Sequence, residues 1–211
     1  ANDLIKADPF RNITFHLDDV DMAYLNEDEL NKIMQKNFVS DRIRLVRDTY
    51  LFCCFTGLAF SDVKSLCPAD IHQEPDGSLW IKKKRMKTKN WCHIPVLPVA
   101  NEILNKYKND KRCLEKNVCL PVMSNQKMNS YLKEIADVCE IKKELSTHTA
   151  RHTFATTVTL KNKVSIEVVS KMLGHSSINM TKKYARVVDD LIKNDMSKIM
   201  DKYSLFTAQQ N

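Results

Sequence analysis

The sequence predicts a mainly α fold carrying one small three-stranded antiparallel β-sheet, an α+β arrangement. Three observations lead there. Glycine is scarce: among 211 residues only Gly57, Gly77 and Gly174 occur, in a chain rich in helix formers. Apolar residues recur at helical spacing through most of the chain. Strand-like segments are confined to the stretch from Ile71 to Val96, where Pro75-Asp76-Gly77 and Lys89-Asn90 supply the turns between three short runs.

The elements follow in order. Residues 1–24 lack periodicity and are expected to be a linker. A helix then starts at Asn26, a capping residue; Glu29 completes a capping box, and Leu25 with Leu30 forms a hydrophobic staple. A second helix runs from Asp41 towards Gly57, with Ile43, Val46, Tyr50 and Cys53 or Cys54 at helical spacing. Ser61 is expected to cap a short helix that Pro68 stops. The middle strand of the sheet carries Lys82, Lys83, Lys84, Arg85, Lys87 and Lys89, a run that on its own reads as a solvated surface. Beyond Pro98, helices are predicted over 99–108, 125–139, 147–161, 165–173, 177–184 and 188–202. Ser165 can cap the helix over 165–173, and Gly174 ends it. The last helix shows an apolar stripe of Leu191, Ile192, Met196, Ile199, Met200 and Tyr203.

Composition bounds the class. A hydrophobic fraction of 43% and a charged fraction of 28% are those of a globular domain able to bury a core without staples. The net charge of +7 suits a polyanionic partner, nucleic acid first and an acidic membrane surface second. Seven cysteines, an odd number without any CxxC pair, fit reduced thiols and a cytoplasmic location better than a disulfide framework. No apolar run approaches a membrane span, and no signal peptide opens the sequence. The first residue is Ala1 rather than Met, so a fragment of a longer protein is expected.

The chemistry concentrates late in the chain. His148 and Arg151 stand at i and i+3, so a helix puts imidazole and guanidinium on one face, a combination that suits a phosphate oxygen. His148 and His152 stand at i and i+4, which is also a zinc-ligand spacing. No Glu follows His148 to make HExxH, and an Arg on the same face disfavours a metal. Leu173-Gly174-His175 follows a helix end, and Tyr184 lies nine residues after His175. Taken singly, each of these residues reads as packing or surface.

Together they do not. The stretches HTARHTFATT from His148 and KMLGHSSINMTKKYARV through Tyr184 resemble the signature of the tyrosine recombinase (phage integrase) family. That signature is H-x-x-R on one helix, then L-G-H, then a tyrosine nine residues on. The likeness extends back to Thr56-Gly57-Leu58 and to the basic hairpin before Ile94-Pro95, and so covers the chain from about Asn26. It implies the tyrosine recombinase catalytic-domain fold over 25–211, with residues 1–24 as the end of a missing N-terminal core-binding domain. It also implies site-specific strand cleavage and rejoining through a 3′-phosphotyrosyl intermediate, in integration or excision of a mobile element. Tyr184 would be the nucleophile, Arg151 and His175 would stabilise the pentavalent phosphate, His148 would either assist proton transfer from Tyr184 or orient groups, and Lys87, eight positions before Pro95, would be the general acid for the leaving 5′-oxygen. Asp62 matches an acidic position that braces the site. Lys83, Lys84 and Lys89 would contact the DNA backbone. A cluster of cations would favour the phenolate form of Tyr184. The implied partner is double-stranded DNA, bound by a homotetramer that assembles on it from monomers and in some cases with a DNA-bending protein. No membrane, metal or cofactor is implied.

One position departs from the pattern. After Thr56-Gly57-Leu58 the family carries its first arginine, and here that residue is Ala59. A methyl group cannot neutralise a phosphate oxygen, so either activity is lost or another cation fills the space. Arg85 is the first candidate: it precedes Lys87 by two residues, and on a strand the two side chains would share a face. Lys83 is the second. The alternative is that Arg85 contacts only the DNA backbone. Two other functions share the fold: a DNA-binding protein that has lost cleavage, and a tyrosine-type topoisomerase.

Overall fold

The computed structural model describes residues 22–184 together with Ile192, Met196, Ser197, Ile199 and Met200. The expected linker over 1–24 lies outside these residues except for its last three. So does the helix expected over 188–202, except for those five residues, which are helical and exposed.

Helix α1 (Glu27–Gln35) begins as its sequence dictates: the Asn26 side chain accepts from the Glu29 N–H and the Glu29 carboxylate from the Asn26 N–H, each at 2.8 Å. Leu25 and Leu30 are both buried. Helix α2 (Asp41–Thr56) is the spine, buried along nearly every residue from Leu45 to Thr56 because α4, α6 and α7 pack around it. It stops at Gly57, whose φ of 67° is left-handed and whose missing Cβ would lie 2.4 Å from the Phe154 ring. Helix α3 (Phe60–Lys64) starts at once. Its cap position is Ala59, which offers no side-chain hydrogen bond; the capping role expected of Ser61 is not realised, because Ser61 already lies inside the first turn.

Strands β1 (Ile71–Gln73), β2 (Leu79–Lys84) and β3 (Trp91–Pro95) form an antiparallel sheet in that order, pairing Ile71 with Ile81 and Ile81 with Ile94. Alternation buries Ile81, Lys83, Cys92 and Ile94 on one face. Strand β2 ends at Lys84; Arg85 and Asn90 close the hairpin through an N–H to C=O bond of 2.8 Å, and Lys87 sits in the turn.

Pro98 opens α4 (Pro98–Tyr107). A helix that the periodicity does not announce follows, α5 (Lys111–Lys116), capped by Asp110 and ended by Asn117 at a φ of 50°. Helix α6 (Asn125–Val138) matches expectation. The single helix expected over 147–161 is three pieces: α7 (Thr147–Thr153), a π-helical stretch Phe154–Thr159 and a 3-10 turn Leu160–Asn162. Threonine hydroxyls bond back along this stretch. Hydroxyls of Thr153, Thr156 and Thr159 donate to the carbonyls of Thr149, His152 and Ala155, and Thr159 also donates to Phe154, five residues back. Helices α8 (Ile166–Met172, capped by Ser165) and α9 (Asn179–Lys182) complete the described fold. None of the described helices is long and apolar enough to cross a membrane.

Candidate active site

Arg151 organises the site. It is buried, and two of its N–H groups donate to backbone carbonyls, Nη1 to Gly57 at 2.5 Å and Nη2 to Leu173 at 2.6 Å. The loop after α2 and the end of α8 are thereby tied to α7. The other donors of its five have no partner among the described residues and are available to an anion. Burial, then the charge of Arg85, holds its pKa down to about 10, so it remains a cation at neutral pH.

Arg85 enters from the hairpin. It is buried, its Nε lies 3.4 Å from an oxygen of Asp62, and its charge acts on both Arg151 and His175. The other Asp62 oxygen accepts the Met86 N–H at 2.9 Å, so one buried carboxylate holds both the side chain and the following backbone of the hairpin. Two guanidinium groups thus share a space with one carboxylate, leaving a surplus of positive charge that can attract an anion.

His175 is half-buried, with Nδ1 2.7 Å from the Thr181 hydroxyl. Burial, then Arg151, Lys183 and Arg85, hold it down to about 4, so it is a neutral imidazole at pH 7. Tyr184 is 3% exposed, and its hydroxyl lies 2.7 Å from Nδ1 of His152. Burial pushes the phenol up to about 12 while Arg151 pulls it down, which corrects the expectation of a phenolate favoured by cations: desolvation outweighs the nearby charge.

Arg151, His175, Tyr184, Arg85 and Asp62 are therefore brought together. His148 is exposed on the first turn of α7, with its ring stacked on that of His152 at 6.4 Å between centroids. Lys87 is exposed in the hairpin turn rather than on the strand, so the shared-face argument linking it to Arg85 does not hold; Arg85 instead continues the buried alternation of Ile81 and Lys83. Lys84 and Lys89 are exposed. Lys83 turns inward, donating to Asp70 at 2.7 Å and to the Ser65 carbonyl at 2.9 Å. His152, which by spacing reads only as a zinc-type partner of His148, is adjacent to Arg151 and lies against the Tyr184 hydroxyl. Among the described residues no cluster of His, Cys, Asp or Glu could hold a metal ion.

The phage integrase family profile matches residues 23–190, and the chain belongs to this family, that of the tyrosine recombinases. A tyrosine recombinase of Pseudothermotoga lettingae is 26% identical over 183 residues, covering 84% of this chain and 60% of that protein. Transposase B from transposon Tn554 of Staphylococcus aureus is 26% identical over 162 residues, 69% of this chain and 25% of that one. The chain thus spans less than two thirds of the length of these relatives. Among solved structures, the XerH site-specific recombinase bound to palindromic difH substrate, a post-cleavage complex, superposes with a TM-score of 0.67 at 21% identity, over 83% of this chain and 52% of that one.

Proposed function

We propose that residues 25–211 form the catalytic domain of a site-specific recombinase that serves a mobile element, with residues 1–24 leading from an N-terminal core-binding domain. The observation that carries the reading is the convergence of Arg151, Arg85 and His175 beside a buried tyrosine hydroxyl. Tyr184 attacks the scissile phosphate of double-stranded DNA, giving a 3′-phosphotyrosyl link and a free 5′-hydroxyl, and the 5′-hydroxyl of a partner strand later resolves that link. Phosphoryl transfer asks mainly for positioning and charge stabilisation. Arg151, His175 and Arg85 supply it, Asp62 holds Arg85, and His148, on the exposed end of α7, orients the incoming DNA. Lys87, exposed in the hairpin turn, protonates the leaving oxygen. Lys84 and Lys89 hold the backbone, while Lys83 is engaged inward with Asp70 and the Ser65 carbonyl. The Tn554 relative supports the mobile-element role, and four protomers assemble on DNA.

The test is incubation of the full-length protein with DNA spanning the ends of its element, followed by mapping of covalent adducts. The expected result is one adduct at Tyr184, absent in Tyr184→Phe and insensitive to chelators. An adduct that survives in Tyr184→Phe would refute the assignment. Ala59 favours a second reading, a DNA-binding protein without cleavage; a nicked suicide duplex that is bound but never trapped would establish it.

A further inference from the structure

We propose that His152, through Nδ1, is the base that takes the hydroxyl proton of Tyr184 as that oxygen attacks phosphorus. The proposal rests on Tyr184 being the nucleophile and names the acceptor that this chemistry requires.

Geometry selects His152. Its Nδ1 lies 2.7 Å from the Tyr184 oxygen, with the rings edge to face at 5.6 Å between centroids. That distance lies within reach for proton transfer. The other histidines of the site are differently engaged: Nδ1 of His175 is paired with Thr181, and His148 is exposed with its ring stacked on that of His152. Burial of Tyr184 leaves bulk water little access as an alternative acceptor.

The charges agree. Among the described residues, four groups face His152: His148 and Arg151 from α7, and Lys183 and Tyr184 from the segment after α9. Burial first, then Lys183, His148 and Arg151, hold the imidazole down to about 4. It is therefore neutral at pH 7, and with its proton on Nε2 it offers the Nδ1 lone pair to the phenol. In the free protein the proton stays on Tyr184, whose phenol is held up at about 12. A phosphodiester seated against Arg151 offsets the cations that suppress the imidazolium, so His152 gains basicity when the nucleophile needs it.

The step balances. The bond from Tyr184 oxygen to phosphorus forms, the bond from phosphorus to the 5′-oxygen breaks, and the phenolic proton passes to Nδ1, leaving an imidazolium. The 5′-oxygen departs with a proton from a separate acid, Lys87 in the reading above. On rejoining, the 5′-hydroxyl returns its proton to that group and Tyr184 recovers its own from His152. The base and the phosphate-binding cation are consecutive residues of one helix turn, so a single backbone segment sets their spacing. The Thr156 hydroxyl anchors that segment by donating to the His152 carbonyl at 2.7 Å.

The experiment is single-turnover adduct formation by the full-length protein on a nicked suicide duplex built on the site mapped for the wild type. His152→Gln keeps a hydrogen-bonding side chain that does not titrate, and His152→Asn is the second variant; thermal unfolding reports whether each folds. Cleavage is expected to slow by about 10²–10⁴-fold, with DNA affinity unchanged and the pH-dependent rise of the wild-type rate lost. Difluorotyrosine at position 184, a more acidic phenol, is expected to recover at least about tenfold of the loss in a His152 variant and none in His148→Gln, the size of a general-base contribution setting the scale. Cleavage at the wild-type rate in a folded variant, or a slow variant indifferent to the fluorinated phenol, would overturn the proposal. A wild-type protein that forms no adduct would overturn the Tyr184 reading itself, and this one with it.

Discussion

A Cβ on Gly174 would lie 2.7 Å from Cδ of Arg85, and 2.6 Å from Sγ of Cys92. The glycine that ends α8 is thus the floor on which the Arg85 stem rests, and its φ of 60° adds a second reason for its identity. Gly174→Ala is expected to lower stability by about 1–3 kcal/mol, from left-handed strain and from the clash. Urea unfolding measures that loss. Adduct formation under conditions where the variant stays folded should fall as well, because Arg85 must move.

Arg85 itself offers a sharper test of how the chain manages without an arginine at Ala59. Arg85→Ala should reduce cleavage by about 10²–10³-fold, the scale for removing one stabiliser of transition-state charge. DNA affinity, set by many backbone contacts, should change only a few-fold. Ala59→Arg in that background should restore part of the rate. Normal cleavage by Arg85→Ala would sink the idea.

Acid should weaken the fold through two imidazoles. His152 and His175 are each held at about 4 in the folded protein, against an ordinary value of 6.5. Between those values the unfolded chain binds more protons, so stability rises with pH. Their contribution is complete above pH 6.5 and is lost as pH falls towards 4. Discounted for partial exposure, it is on the order of 1 kcal/mol for each. Equilibrium unfolding from pH 7.5 down to about 5 should show the slope, and His152→Gln with His175→Gln should flatten it.

The lysines of the hairpin should separate by salt dependence. Lys84 and Lys89 are exposed, so replacing either with Ala should reduce the salt slope of DNA binding by about 1. Lys83 bonds Asp70 and the Ser65 carbonyl. Lys83→Ala should leave the slope nearly unchanged and cost about 1 kcal/mol of stability instead, by removing the charged partner of Asp70 and leaving its carboxylate only the Cys67 N–H and thiol. Binding isotherms at three salt concentrations distinguish the two behaviours.

The parts legible in the sequence are those set by local chemistry. The Asn26 capping box, the Gly57 stop of α2 and the three strands are all written in neighbouring residues. What escaped depends on distance or competition. The side chains of 147–161 read as one helix, yet the backbone widens into a π-helical turn from Phe154, where Thr159 reaches back five residues to the Phe154 carbonyl. Helix α5 has six residues and too few apolar positions to register a period. The end of β2 at Lys84 is fixed by the Arg85 to Asn90 closure, so parity could not be carried across to Lys87. The contact of His152 with Tyr184 joins residues 32 apart and has no local signature.

Arg151 grips carbonyls from two separate loops, at Gly57 and at Leu173. Any variant at that position therefore loosens three stretches of chain at once, and its lost turnover would mix damaged chemistry with damaged architecture. An inert protein for trapping or counting complexes on DNA is better made at Tyr184, where Phe removes one oxygen and leaves the scaffold's joints untouched.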